Sequence, residues 1–189
     1  MKGPMKATPS GWPRISSALY YDDAETAIDW LCNAFGFMVR LKVGGDDGGI
    51  VHSELEYGEG LIMVGQTGRG GEDDGVAGQA KPAAGSGQEA GDEARDGSGG
   101  HAGDGADAAW RSKQASPVSL DQRNTQSLCV YVDDVDAHCE RARAAGAKII
   151  REPKTTDYGD KYWTDRSYGA VDPEGHLWWF MQRLRTAGE

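Results

Sequence analysis

A chain of 189 residues with 38% hydrophobic residues and a formal charge of −10 has room for one domain of ordinary size. Its acidity, and the lack of any basic stripe to neutralise phosphates, exclude nucleic acid as a partner. No apolar run approaches the length of a membrane span and the amino terminus lacks an apolar signal core, so a soluble, cytoplasmic protein is expected.

In chain order, the first arm begins near residue 12. A short β-prone run, Ala18-Leu19-Tyr20-Tyr21, leads to Asp22-Asp23, carboxylates suited to accepting the free N–H groups of a helix start. Ala24, Ala27, Ile28, Leu31 and Phe35 then fall on one helical stripe. Gly36 stands where a left-handed residue ends the helix. Ile50 to Tyr57 alternates, with Val51, Ser53, Leu55 and Tyr57 on one face and His52, Glu54 and Glu56 on the other. A turn at Glu59-Gly60 leads to Leu61-Ile62-Met63-Val64. The glycine-rich run Gly44–Gly49 lacks the lysine and helix of a phosphate loop and reads as a strand-to-strand connection.

From Gln66 to about Trp110 large apolar residues nearly vanish, and nine acids face only Arg69, Lys81 and Arg95. Such a segment cannot bury enough surface to offset an ordering entropy of roughly 1–2 kcal/mol per residue. A disordered insert is therefore predicted over 66–118, between arms at 12–65 and 119–184.

The second arm repeats the first. Cys129-Val130-Tyr131-Val132 precedes Asp133-Asp134, the stripe Val135, Cys139, Ala142 and Ala145, and Gly146; His138 is placed on the helix surface. Arg166 to Val171 leads through the turn signal Asp172-Pro173-Glu174-Gly175 into an aromatic strand from His176 to Met181. Alternation puts Trp178 and Phe180 on one face and Trp179 on the other. Each arm reads β-α-β-β-β, too little to bury a core alone. The expectation is an α+β domain of two such repeats, with helices on the outer face of a curved mixed sheet and a cleft within. The three cysteines, Cys32, Cys129 and Cys139, match neither zinc nor CxxC spacing and are expected to be reduced and largely buried.

The run Asp172-Pro173-Glu174-Gly175-His176-Leu177-Trp178 resembles the vicinal oxygen chelate superfamily of glyoxalases, bleomycin-resistance proteins, fosfomycin-resistance enzymes and extradiol dioxygenases. Tyr158–Tyr162 and Val132–Ala137 resemble its PhnB-like branch. The resemblance implies a small-molecule cleft, often a homodimer, sometimes with arms exchanged between chains, and in many members a divalent ion. The ligand positions it implies fall here on Ser16, Ser127, Val64 and Trp179, with Gln126 in place of Ser127 if the register slips by one. Hydroxyls, an isopropyl group and an indole are poor donors to Zn²⁺, Ni²⁺, Fe²⁺ or Mn²⁺, so no cofactor is predicted.

The leading expectation is a binder of a planar or amphipathic molecule, in an aromatic cleft drawn from Ser16, Ser127, Trp163, Arg166, Tyr168 and Trp179. The alternative is a divalent-metal lyase or dioxygenase that uses His52 and Glu54, neighbours on one strand face, as its catalytic pair. His176 is expected to brace its turn. Whether a reaction is catalysed stays open.

Overall fold

The computed structural model describes residues 5–45, 48–68 and 112–188. The first repeat comprises β1 (Ser17–Tyr21), α1 (Ala24–Phe35), β2 (Met38–Gly44), β3 (Ile50–Tyr57) and β4 (Gly60–Gln66). A 3₁₀ turn at Pro117–Leu120 precedes the second, which comprises β5 (Leu128–Tyr131), α2 (Val135–Ala144), β6 (Lys148–Asp157), β7 (Thr164–Val171) and β8 (Leu177–Arg185). The α+β class and both βαβββ repeats are present as expected.

The local signals act as read. Asp23 accepts from Thr26 N–H at 3.0 Å and Asp134 from Ala137 N–H at 3.0 Å, so each acidic pair supplies a helix cap. Gly36 and Gly146 take φ values of +83° and +91°, which a side chain would oppose. Each repeat forms its own four-stranded sheet, β1-β4-β3-β2 and β5-β8-β7-β6. The first strand runs parallel to the last, and the other pairs are antiparallel.

The two repeats share one core. Phe35, at the end of α1, lies 5.2 Å from Trp178 and 4.7 Å from Phe180, ring to ring, and Phe37 lies 5.7 Å from Trp178. Burying each of these rings contributes about 1.5–3 kcal/mol. The helices touch one another, and among the described residues no strand of one sheet lies against a strand of the other. Trp30 Nε1 donates to Ala145 C=O at 2.7 Å. Arg141 donates to Ala34 C=O and Phe35 C=O, where α1 runs out of helical partners for its last carbonyls. Both helices thus lie between the sheets, and the helix-free face of each sheet looks outward.

The turn after β7 clasps the second repeat to the first. Asp172 Oδ1 accepts from the backbone N–H groups of Glu174, Gly175 and His176, while Oδ2 accepts from Tyr21 Oη at 2.7 Å and Trp178 Nε1 at 3.0 Å. Glu174 accepts from the backbone N–H groups of Asp22 and Asp23 and from Ser116 Oγ. His176 Nε2 lies 3.0 Å from Tyr20 C=O, the bracing role expected of it. Burial, then the adjacent Asp172 charge, pushes the Tyr21 phenol well above its ordinary pKa, so it stays a donor.

Most of the expected insert, residues 69–111 with His101, lies outside the described residues. At its margins Gln66 closes β4, Gln114 donates to Tyr20 Oη at 2.6 Å, and Ser116 is buried.

Candidate functional site

The outward face of the first sheet carries the residues at even positions of β3. Ser53 and Leu55 turn to the helices, Ser53 Oγ donating to Val64 C=O at 2.7 Å. His52 and Glu54 therefore turn outward together, with Nε2 3.1 Å from Glu54 Oε1. Glu54 is 4% exposed, which a lone carboxylate could not tolerate. A bulge in β2 between Val39 and Leu41 brings Arg40 Nε to 3.5 Å from the other oxygen, Oε2. Arg40 lies 4.6 Å over the Trp12 ring and donates to Gly11 C=O, so the amino-terminal segment closes over the pair. With Nε2–H directed at the carboxylate, His52 presents Nδ1 as an acceptor on a half-exposed ring, a group able to take a proton.

On the second sheet, alternation along β8 turns Trp178 and Phe180 inward and Trp179, Met181, Arg183 and Arg185 outward. Arg183 organises one end of this face. Its Nε lies 2.5 Å from Asp165 Oδ1, its Nη2 donates to Tyr131 Oη, and its guanidinium lies 5.4 Å from the Tyr131 ring and 5.1 Å from the Trp163 ring. The bond to Asp165 raises its pKa further, so it is a permanent cation. Trp163 packs on Tyr158 and Tyr162 at 5.5 and 6.0 Å. Tyr131, Tyr158 and Tyr162 are each more than half exposed. Trp179 lies against Gly169, where a Cβ would come within 2.9 Å of its ring, and Arg151 stacks on it at 5.6 Å.

Between edge strands β1 and β5 runs a groove of about 420 Å³ whose lining includes Ser17, Phe37, Tyr57, Ser127 and Leu128. Ser127 stands exposed at its rim and Ser16 is half-buried just before β1.

The predicted site residues do not all converge. His52 and Glu54 meet as expected, and Trp163 and Trp179 share the outward face of the second sheet. Arg166 does not join them: it shares the parity of buried Tyr168 and turns to the helices. Its Nε and Nη2 both bond Asp136 at 2.6 Å, which holds that carboxylate below its usual pKa. Tyr168 is fully buried core, its hydroxyl 2.6 Å from His138 Nδ1. His138 itself is buried rather than on the helix surface. It falls on the stripe with Val135 and Ala142, and its Nε2 lies 3.0 Å from Phe35 C=O. Donation from Nε2 to that carbonyl leaves Nδ1 to accept from Tyr168. Burial lowers its pKa from 6.5 to about 4; the Phe35 bond works against this and the Arg141 charge adds to it. Cys129 is exposed on β5, while Cys139 is buried as expected.

Arg40, Tyr131, Arg151, Asp165 and Arg183 were not foreseen in the site. The parity of Trp179 extended along β8 reaches Arg183, whereas Arg40 arrives through a bulge that alternation does not reveal.

The positions implied for a family metal do not suit one. Val64 is 1% exposed and turns to the helices; sheet register gives Met63 the outward place, opposite Ala18. Trp179 occupies the matching place on β8, opposite Cys129. Both oxygens of Glu54 are committed to His52 and Arg40. Among the described residues no group of three or more His, Cys, Asp or Glu side chains is placed to hold an ion. No helix among them is long and apolar enough to cross a membrane.

The family model described as Glyoxalase/Bleomycin resistance protein/Dioxygenase superfamily matches residues 14–180. An uncharacterised protein of Mycobacterium bovis is 29% identical over 174 residues, 92% of this chain and 85% of the relative. The crystal structure of TioX from Micromonospora sp. ML1 is similar with 28% identity and a TM-score of 0.54, over 91% of this chain and 99% of that one. A glyoxalase/bleomycin resistance protein/dioxygenase family enzyme from Burkholderia phytofirmans, at 16% identity and a TM-score of 0.50 over 89% of this chain and 97% of that one, shares the fold.

Proposed function

The chain belongs to the glyoxalase/bleomycin resistance protein/dioxygenase superfamily, and from that premise we propose that it binds a small planar or amphipathic molecule, without a metal centre, on the aromatic face of its second sheet. The observation that carries this is the outward aromatic set of that face, exposed Tyr131 and Trp163 against the fixed Arg183 cation and half-buried Trp179 against Arg151. Rings that a fold leaves half exposed on a sheet face offer stacking area, and the cation sets orientation. A homodimer is part of this reading. Titration with planar aromatic compounds, followed by tryptophan fluorescence, tests the proposal. Binding weakened at least tenfold in both W163A and W179A supports it; unchanged affinity in both refutes it.

The second reading rests on the 3.1 Å His52–Glu54 contact. There His52 takes a proton from substrate at Nδ1 while Glu54 holds the ring in position, as a lyase or dioxygenase of this superfamily requires of a base. Elemental analysis of protein grown with Zn, Ni, Fe and Mn separates the two. Stoichiometric metal in the unmodified protein would favour the enzyme and overturn the metal-free binder.

A further inference from the structure

Nine arginines stand among the described residues, and eight have a polar partner there. Arg14, Arg40 and Arg141 bond backbone carbonyls, and Arg123, Arg143, Arg166, Arg183 and Arg185 meet carboxylates. Arg151 alone has none. Its one recorded contact is the face of Trp179, 5.6 Å away.

Sheet register places this cation at the end of an apolar path. One row across the outward face reads Cys129, Trp179, Gly169, Arg151, and the next reads Tyr131, Met181, Ser167, Lys154. Aromatic rings and a thioether thus occupy the β5–β8 side, and two cations stem from β6, whose backbone lies about 10 Å from that of β8 by the usual strand spacing, with the Arg151 guanidinium reaching back to 5.6 Å from the Trp179 ring. The Trp179 ring lies across Gly169, where a Cβ would come within 2.9 Å of it, so the indole itself spans the ground toward β6. Asp165, a carboxylate on this face, is held by Arg183.

We infer that Arg151 is an anion anchor, and that the molecule bound on this face is a flat aromatic acid whose rings lie on Met181 against the edge of Trp179 and whose carboxylate meets the Arg151 guanidinium. This rests on the aromatic face being the binding surface and adds the ligand's charge. A guanidinium already stacked on an indole has lost much of its rotamer freedom, so it meets a carboxylate in a preformed plane at low entropic cost.

The test compares 2-naphthoate with 2-naphthamide, alike in shape and differing in charge, titrated into the full-length protein and its R151Q variant. The expected result is at least tenfold tighter binding of naphthoate to the unmodified protein, with the preference reduced to threefold or less in R151Q while naphthamide affinity stays constant. Equal affinity for both compounds in the unmodified protein overturns the anchor yet leaves the aromatic binding surface standing. Failure of both compounds to bind removes the surface and the anchor with it. Light scattering runs alongside: if R151Q splits a dimer and leaves the naphthoate preference intact, the guanidinium belongs to a subunit contact and the inference fails.

Discussion

Replacing His138 with glutamine exposes how strongly the buried imidazole ties stability to pH. The ring is 5% exposed, wedged between Phe35 C=O and Tyr168 Oη, and it is neutral when folded. Its pKa is about 4 in the folded chain against 6.5 when unfolded. Between those values the unfolded chain binds a proton that the folded chain refuses, so the protein loses stability as pH falls from 6.5 toward 4. The full difference is roughly 3 kcal/mol, of which roughly 2 is lost between pH 7 and pH 5. Glutamine cannot titrate. Its amide can still donate to Phe35, but Tyr168 loses its acceptor, which lowers stability at neutral pH by about 1–2 kcal/mol. Urea unfolding at pH 7, 6 and 5 gives the comparison. H138Q should start lower and fall less steeply, gaining roughly 2 kcal/mol relative to the parent by pH 5. Parallel pH profiles would refute the buried, neutral assignment.

Three further outcomes are expected. D172A leaves the buried donors of Tyr21 and Trp178 without an acceptor and frees the turn, at a cost of about 3–5 kcal/mol in chemical denaturation; a loss below 1 kcal/mol would show that the clasp is dispensable. G169A puts a Cβ 2.9 Å from the Trp179 ring, so it should shift that indole's fluorescence maximum and weaken ligand binding tenfold or more, with stability reduced by about 1–3 kcal/mol; an unchanged spectrum would contradict the close approach. Replacing 69–111 with a short glycine-serine linker should change stability by less than about 1 kcal/mol, because loop length enters only logarithmically; a larger loss measured by calorimetry would make that segment structural.

The repeat was legible because its punctuation is strong. Acidic pairs before helices, Gly36 and Gly146 after them, and the Asp172–Gly175 turn each have one local solution. The His52–Glu54 contact was legible for the same reason, since two residues apart on a strand means one face. Arg166 was misplaced because parity along β7 had not been tied to the core: Tyr168, two residues on, is inward, so Arg166 must be too. His138 carried its own signal, three residues after Val135 and four before Ala142, but a polar side chain on an apolar stripe was read as surface. Bonds to Phe35 C=O and Tyr168 Oη, both remote in sequence, make its burial tolerable. That the helices lie between two sheets, so that the two faces of one chain look apart, depends on Phe35 reaching Trp178 and Phe180, a contact that spans more than 140 residues and leaves no local trace.

The most direct measurement uses the indole N–H resonances of ¹⁵N-labelled protein titrated with 2-naphthoate. Trp163 and Trp179 should shift progressively, while Trp30 and Trp178, whose N–H groups are bonded to Ala145 and Asp172 in the core, should hold still. Movement confined to Trp12, which lies under Arg40 on the first sheet, with Trp163 and Trp179 unmoved, would put the ligand on the other sheet and contradict the account.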